Sequence, residues 1–127
     1  MNNQLIYLID DDNNILTTIS NALRDNGYRV ETATGGEATL SRITTITPDL
    51  FLIDLRMNPM NGFELFHRIR EKRQFLTTPI FFLTGIEDQL ARQYGEKLGV
   101  EGYFTKPIDI AQLLAAIARA LGVSSAT

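Results

Sequence analysis

Five short apolar runs punctuate the chain, and each gives way to polar residues: Leu5–Ile9, Tyr28–Ala33, Leu50–Ile53, Ile80–Leu83 and Gly102–Phe104 with Thr105. The runs at Leu5, Leu50 and Ile80 are continuous rather than alternating. That pattern predicts strands buried on both faces, as in a parallel sheet. Tyr28–Ala33 alternates loosely and is expected nearer an edge. Between the runs the spacing changes to helical. Ile15, Leu16, Ile19, Ala22 and Leu23 mark a first helix, with Asp12 or Asn13 as its cap and Gly27 after its end. A weaker helix over Glu37–Thr45 carries Ala38, Leu40 and Ile43 among threonines, and Pro48-Asp49 breaks it. Phe63, Leu65, Phe66 and Ile69 predict a third helix over Gly62–Lys72. Leu90, Tyr94 and Leu98 predict a fourth over Glu87–Leu98. The last runs from Asp109, a plausible cap, to Leu121. Its Ile110, Leu113, Leu114, Ile117 and Leu121 are expected to face the core, leaving Ala115, Ala116 and Ala120 on other faces. Strand and helix thus alternate five times. The expected fold is α/β, a parallel sheet with helices on both faces and right-handed crossovers. One domain over residues 1–122 is expected, and 123–127 read as a flexible tail or the start of a linker.

Composition narrows this picture by exclusion. A chain of 127 residues with 44% hydrophobic content can build one real core. The net charge of −3 comes without a basic stripe, which argues against nucleic acid as a direct partner. The absence of cysteine rules out disulfides and thiolate metal sites. No apolar run approaches the roughly 18 residues that span a membrane. Met1-Asn2-Asn3-Gln4 lacks the basic start of a signal peptide, so a cytoplasmic location is expected.

The candidate chemistry lies where the apolar runs end. In a parallel sheet these ends share one edge of the molecule, where ligands bind in open α/β sheets. The first run delivers Asp10, Asp11 and Asp12, the third Asp54, the fourth Thr84 and the fifth Lys106. Carboxylates brought together this way repel one another unless a cation joins them. Oxygen donors without thiolates suit a hard ion such as magnesium, which takes one or two carboxylates and keeps room for waters and phosphate oxygens. A lysine and a hydroxyl nearby can address further phosphate oxygens. A remaining carboxylate can then act as nucleophile and become an acyl phosphate. An aspartate at a strand end is often only a helix cap, and Asp12 reads that way. What sets Asp54 apart is the company of Asp10, Asp11, Thr84 and Lys106. His67, the single histidine, reads as a surface residue.

At this point the sequence resembles the receiver domain of bacterial two-component response regulators. The resemblance rests on Leu8-Ile9-Asp10-Asp11-Asp12, Asp49-Leu50 through Asp54-Leu55, Met57 with Gly62, Phe82-Leu83-Thr84-Gly85, and Gly102-Tyr103-Phe104-Thr105-Lys106-Pro107. It covers essentially the whole chain. It implies a flavodoxin-like (βα)5 doubly wound sandwich with strand order 2-1-3-4-5. It also implies Asp54 as phosphoacceptor, with Mg2+ (Mn2+ as the alternative) held by Asp10, Asp11, Asp54 and the backbone carbonyl of Arg56. Thr84 and Lys106 would bind phosphoryl oxygens. Tyr103 would be the aromatic that follows Thr84 inward, with plain packing as the rival reading. Pro107 would follow Lys106 through a cis peptide bond. The implied activity is a signalling switch rather than an enzyme, catalysing only its own phosphorylation and dephosphorylation. The implied donor is a histidine kinase or a histidine phosphotransfer protein. The implied output is a changed surface on the fourth helix, fifth strand and fifth helix, through which the chain could pair with itself.

The chain departs from the family's pattern after the acceptor. The usual proline position holds Asn58, and the proline follows at Pro59, which predicts a changed loop path. Arg56 and Ile86 stand at the two positions that, by the resemblance, would influence how readily water reaches the phosphoryl group. Two other folds with related chemistry fit less well. A haloacid-dehalogenase-type phosphatase needs a second acid where Arg56 stands, and a flavodoxin would need a Ser/Thr-rich loop where Asp10-Asp11-Asp12 stand. A receiver-like domain acting only as a binding module fits poorly with the intact acidic set and Lys106.

Overall fold

The computed structural model describes residues 3–85 and 89–122. Five strands, β1 (Leu5–Ile9), β2 (Arg29–Ala33), β3 (Leu50–Asp54), β4 (Ile80–Thr84) and β5 (Gly102–Thr105), form one parallel sheet in the order β2-β1-β3-β4-β5. Five helices connect or follow them: α1 (Asn13–Asp25), α2 (Gly36–Arg42), α3 (Gly62–Arg70), α4 (Gln89–Leu98) and α5 (Ile110–Leu121). The expected fold class and strand order are both present. The continuous apolar runs at β1, β3 and β4 are buried at every position, whereas edge strand β2 is buried at none.

Alternation along the strands divides the core in two. Leu50 and Leu52 of β3, with Ile6, Leu8, Phe81 and Leu83, pack under α1 and α5. Phe51 and Ile53, with Tyr7, Ile9 and Phe82, pack under α2, α3 and α4. Burying a side chain such as these contributes roughly 1.5–3 kcal/mol against exposure.

Local chemistry sets the helix ends. Of the two cap candidates for α1, Asp12 caps: its Oδ1 accepts the Asn14 amide at 2.9 Å. Asn61 and Glu64 form a reciprocal capping box at the start of α3, and Asp109 accepts the Gln112 amide at 3.1 Å to start α5. Two predicted helices run too long. α2 stops at Arg42 rather than Thr45, because Thr44 and Thr45 turn their hydroxyls back onto the carbonyls of Ser41 and Arg42. α3 stops at Arg70 rather than Lys72, and a 3-10 turn over Arg73–Phe75 follows it. That turn inserts Phe75 into the core, and Arg70 fixes it by donating to the carbonyls of Phe75 and Thr78, each at 2.7 Å.

The small-residue face expected on α5 is partly used up. Ala116 and Ala120 pack against the core below α1 and α5, and Ala118 is buried, so the buried face of α5 is wider than its five large apolar residues alone mark. The predicted start of the fourth helix at Glu87, the position of Ile86 and the expected tail at 123–127 lie outside the described residues. Among the described residues no helix is long and apolar enough to cross a membrane.

Candidate functional site

The strand order brings the ends of β1, β3, β4 and β5 side by side, and their polar residues meet. Asp10 and Asp54 are buried and Asp11 is exposed, with one carboxylate oxygen from each lying within 4.8 Å of the others. Lys106 reaches between the two buried acids. Its Nζ lies 2.9 Å from Asp10 Oδ2 and 3.3 Å from Asp54 Oδ1. Asp54 Oδ1 also accepts the Arg56 amide at 3.3 Å, and Asp10 Oδ1 accepts the Asp12 amide at 2.9 Å. Thr84 is buried beside this group at the end of β4, and its Oγ1 has no hydrogen-bond partner among the described residues. A buried hydroxyl without a partner is costly, and here it stands at the strand edge where a ligand oxygen can be met.

The electrostatics follow from burial and crowding. Burial, then the charge of Asp10, pushes the Asp54 carboxyl up from 3.8 to about 6, against the pull of Lys106 and the Arg56 amide. Burial works against the Lys106 ammonium, but hydrogen bonding and charge from Asp10 and Asp54 outweigh it and hold its pKa above the usual lysine value. One lysine does not neutralise three acids. The cluster has the oxygen donors, the spacing and the excess negative charge that fit a hard divalent cation.

The backbone fixes the site from below. Gly62 starts α3 tight against the end of β3: its amide donates to Leu55 O at 3.0 Å. A Cβ at Gly62 would lie 2.5 Å from the Asp54 carbonyl oxygen and 2.8 Å from Leu55 Cα, so only glycine fits without moving the backbone that carries Asp54. Between them the loop holds Met57 buried and Asn58 and Pro59 exposed. Met60 lies on Gly36 at the start of α2, where a Cβ would come within 2.5 Å of Met60 Sδ. The peptide bonds before Pro59 and Pro107 are both cis; the sequence pointed to the second and not the first. Lys106 also lines a groove of about 640 Å³ beside α1, with Ile15, Ile19, Pro107, Ile108 and Ile110 among its walls.

The remaining candidates lie apart from the acids. Asp12 is exposed and occupied as a cap. His67 is exposed on α3, its Nε2 3.3 Å from the Tyr94 hydroxyl. Tyr103 is half-buried on β5, its ring against Gly95 of α4 and under the guanidinium of Arg92. The periodicity of α4 did not single out Arg92 or Gly95. The usable signal was a glycine inside a helical pattern, which marks a close approach when the helix tolerates its cost.

This constellation lies at the switch edge of a 2-1-3-4-5 sheet, and comparison with known proteins gives the family to which such a sheet belongs. Residues 6–118 match the response regulator receiver domain, and the chain belongs to that family. It is 33% identical over 105 residues to the alkaline phosphatase synthesis transcriptional regulatory protein PhoP of Bacillus subtilis, covering 83% of this chain and 43% of that protein. It is 34% identical over 115 residues to the transcriptional regulatory protein CrdR of Helicobacter pylori, covering 90% of this chain and 53% of that one. The chain therefore spans about half the length of these curated relatives. Among solved structures, the chemotaxis response regulator CheY4 of Vibrio cholerae superposes with a TM-score of 0.85 at 31% identity, covering 94% of this chain and 100% of that one.

Proposed function

We propose that residues 1–122 form a receiver domain that accepts a phosphoryl group on Asp54 from the phosphohistidine of a histidine kinase or phosphotransfer protein. The observation that carries this reading is the meeting of Asp54, Asp10, Asp11 and Lys106 at one strand edge. Asp10, Asp11, Asp54 and the carbonyl of Arg56 would hold Mg2+ or Mn2+. When bound, that ion supplies charge neutralisation for the acids and the incoming phosphoryl oxygens.

The chain's own groups account for the rest. Among the described residues, the hydrogen bonds to Asp54, from Arg56 N and Lys106 Nζ, both go to Oδ1. Oδ2 is therefore the oxygen left to attack phosphorus. The new O–P bond forms as the P–N bond to the donor imidazole breaks, and the imidazole leaves with that electron pair. Lys106 then neutralises a phosphoryl oxygen, and the unpartnered Thr84 hydroxyl donates to another. Because phosphoryl transfer depends mainly on positioning and charge, no further base is required. Tyr103 follows Thr84, and the surface of α4, β5 and α5 changes for an effector, an attached output domain or a second copy of the chain. The phosphoryl group need only bias two existing arrangements; moving from 1:99 to 99:1 takes about 5.5 kcal/mol. We place this switch in the cytoplasm, where such donors act.

The test is intact mass after incubation with Mg2+ and a small phosphodonor. One added phosphoryl group on the parent and none on Asp54→Asn is the expected result. An unmodified parent, or equal addition to both, overturns the reading.

A further inference from the structure

Two residues of α4 grip the Tyr103 ring, and neither takes part in the chemistry at Asp54. Arg92 Cζ lies 5.3 Å from the ring centroid, within reach of cation–π attraction. Gly95 is buried three residues further on, and residues three apart share a helix face. A Cβ at Gly95 would lie 3.3 Å from Cδ2 and 3.4 Å from Cε2 of that ring, and 3.4 Å from Phe82 Cδ2. Glycine is a poorer helix former than alanine, and here a Cβ would press on the ring, which would have to give by a few tenths of an ångström. Arg92 is in turn steadied by Glu96, with Nε 3.6 Å from Oε1. Tyr103 stands on β5 three residues before Lys106 and is in register with Phe82 of β4. The ring is thus a direct contact between the strand leading to Lys106 and the body of α4.

We propose that Arg92 is a positioning residue for Tyr103: it holds the ring on α4 over Gly95, so that ring and helix shift together. The contact occurs in the arrangement in which Lys106 Nζ holds Asp54 Oδ1 at 3.3 Å. Loss of Arg92 eases departure from that arrangement. A phosphoryl mimic that draws Lys106 away from Asp54 Oδ1 then binds more tightly. This regulatory consequence rests on Asp54 being the phosphoacceptor; the seating of the ring does not.

The experiment uses the full chain with Arg92→Gln and Arg92→Lys, each also combined with Tyr103→Leu. In the ligand-free protein, ring resonances assigned to Tyr103 by their loss in Tyr103→Leu are expected to move in Arg92→Gln and to move less in Arg92→Lys. Gly95→Ala is expected to move them too. Titration with beryllofluoride and Mg2+ is expected to show binding tightened about two- to five-fold in Arg92→Gln, the range of an exposed cation–π contact. Arg92→Lys should give a smaller change, and the Tyr103→Leu background none. Unmoved ring resonances, weaker or unchanged binding, or the same change in both backgrounds overturns the proposal. If the parent fails to bind beryllofluoride, the phosphoacceptor reading falls, and the ring resonances still decide the role of Arg92.

Discussion

Asp54→Asn is expected to stabilise the metal-free protein at neutral pH, although it removes the residue on which the site is centred. Asp54 is only 2% exposed and faces Asp10, and together these push its carboxyl from 3.8 to about 6. An acid whose folded-state pKa is raised binds its proton more tightly in the folded chain than in the unfolded one. Its contribution is therefore fully present below pH 3.8 and is lost as pH rises through about 6. A shift of this size corresponds to about 3 kcal/mol once Asp54 is ionised. Asparagine keeps the shape and the Oδ1 acceptor and carries no charge at any pH. The variant should thus be more stable than the parent by about 1–3 kcal/mol at pH 7.5, which for a domain of this size raises Tm by about 3–10 °C. The difference should shrink toward zero near pH 4. Scanning calorimetry of both proteins in a chelating buffer from pH 4 to 8 reads the difference. Added Mg2+ should close the gap at pH 7.5 by stabilising the parent more than the variant. A difference that is flat with pH, or a variant less stable than the parent at pH 7.5, would refute the reasoning.

Further substitutions probe the same edge. Lys106→Met leaves Asp10 and Asp54 facing each other without their shared cation, and should cost about 1–3 kcal/mol by urea denaturation at pH 7. Because the Lys106 pKa is raised, its own titration removes the contribution only as pH rises above 10.5, so between about pH 7 and 10 the difference should hold and it should fade in strong alkali. Gly62→Ala drives a Cβ to 2.5 Å from the Asp54 carbonyl oxygen and should cost about 1–3 kcal/mol and slow phosphorylation, whereas Gly35→Ala, which meets nothing within 4 Å, should change neither. Asp11→Asn should weaken Mg2+ binding, measured by calorimetric titration, with little change in stability. Asp12→Ala should do the reverse, losing a cap worth about 1 kcal/mol while binding Mg2+ as the parent does.

The parts that were legible from sequence and those that were not divide along one physical line. Leu50–Ile53 announces a strand buried on both faces because a continuous apolar run needs only its own composition to be read. Once five such runs are parallel, topology alone carries Asp10, Asp54, Thr84 and Lys106 to one edge, so the site could be assembled without any distance. The strand order itself came from resemblance, since periodicity does not rank strands within a sheet. What stayed hidden depends on which atoms compete for the same partner. Thr44 and Thr45 end α2 by turning onto its carbonyls, and the three-residue turn that buries Phe75 is too short to have a period. Ala116 and Ala120 pack against the core although neither is large, a contact that the spacing of large apolar residues on α5 does not mark.

The same division explains why the raised pKa of Asp54 and the seating of Tyr103 were out of reach. The first combines the burial of Asp54 with the charge of Asp10, and the second pairs Tyr103 with Arg92, across sequence separations that carry no pattern. Gly95 is the instructive intermediate. Its position inside a helix is visible in the sequence and signals that something approaches closely. Which ring approaches is decided on β5, by the parallel register that sets Phe82 opposite Tyr103. A local irregularity can therefore reveal that a tertiary contact exists before anything in the chain says what makes it. On that argument the residues to vary around a receiver site are the helix-interior glycines and their neighbours one turn away, as much as the acids that hold the phosphoryl group.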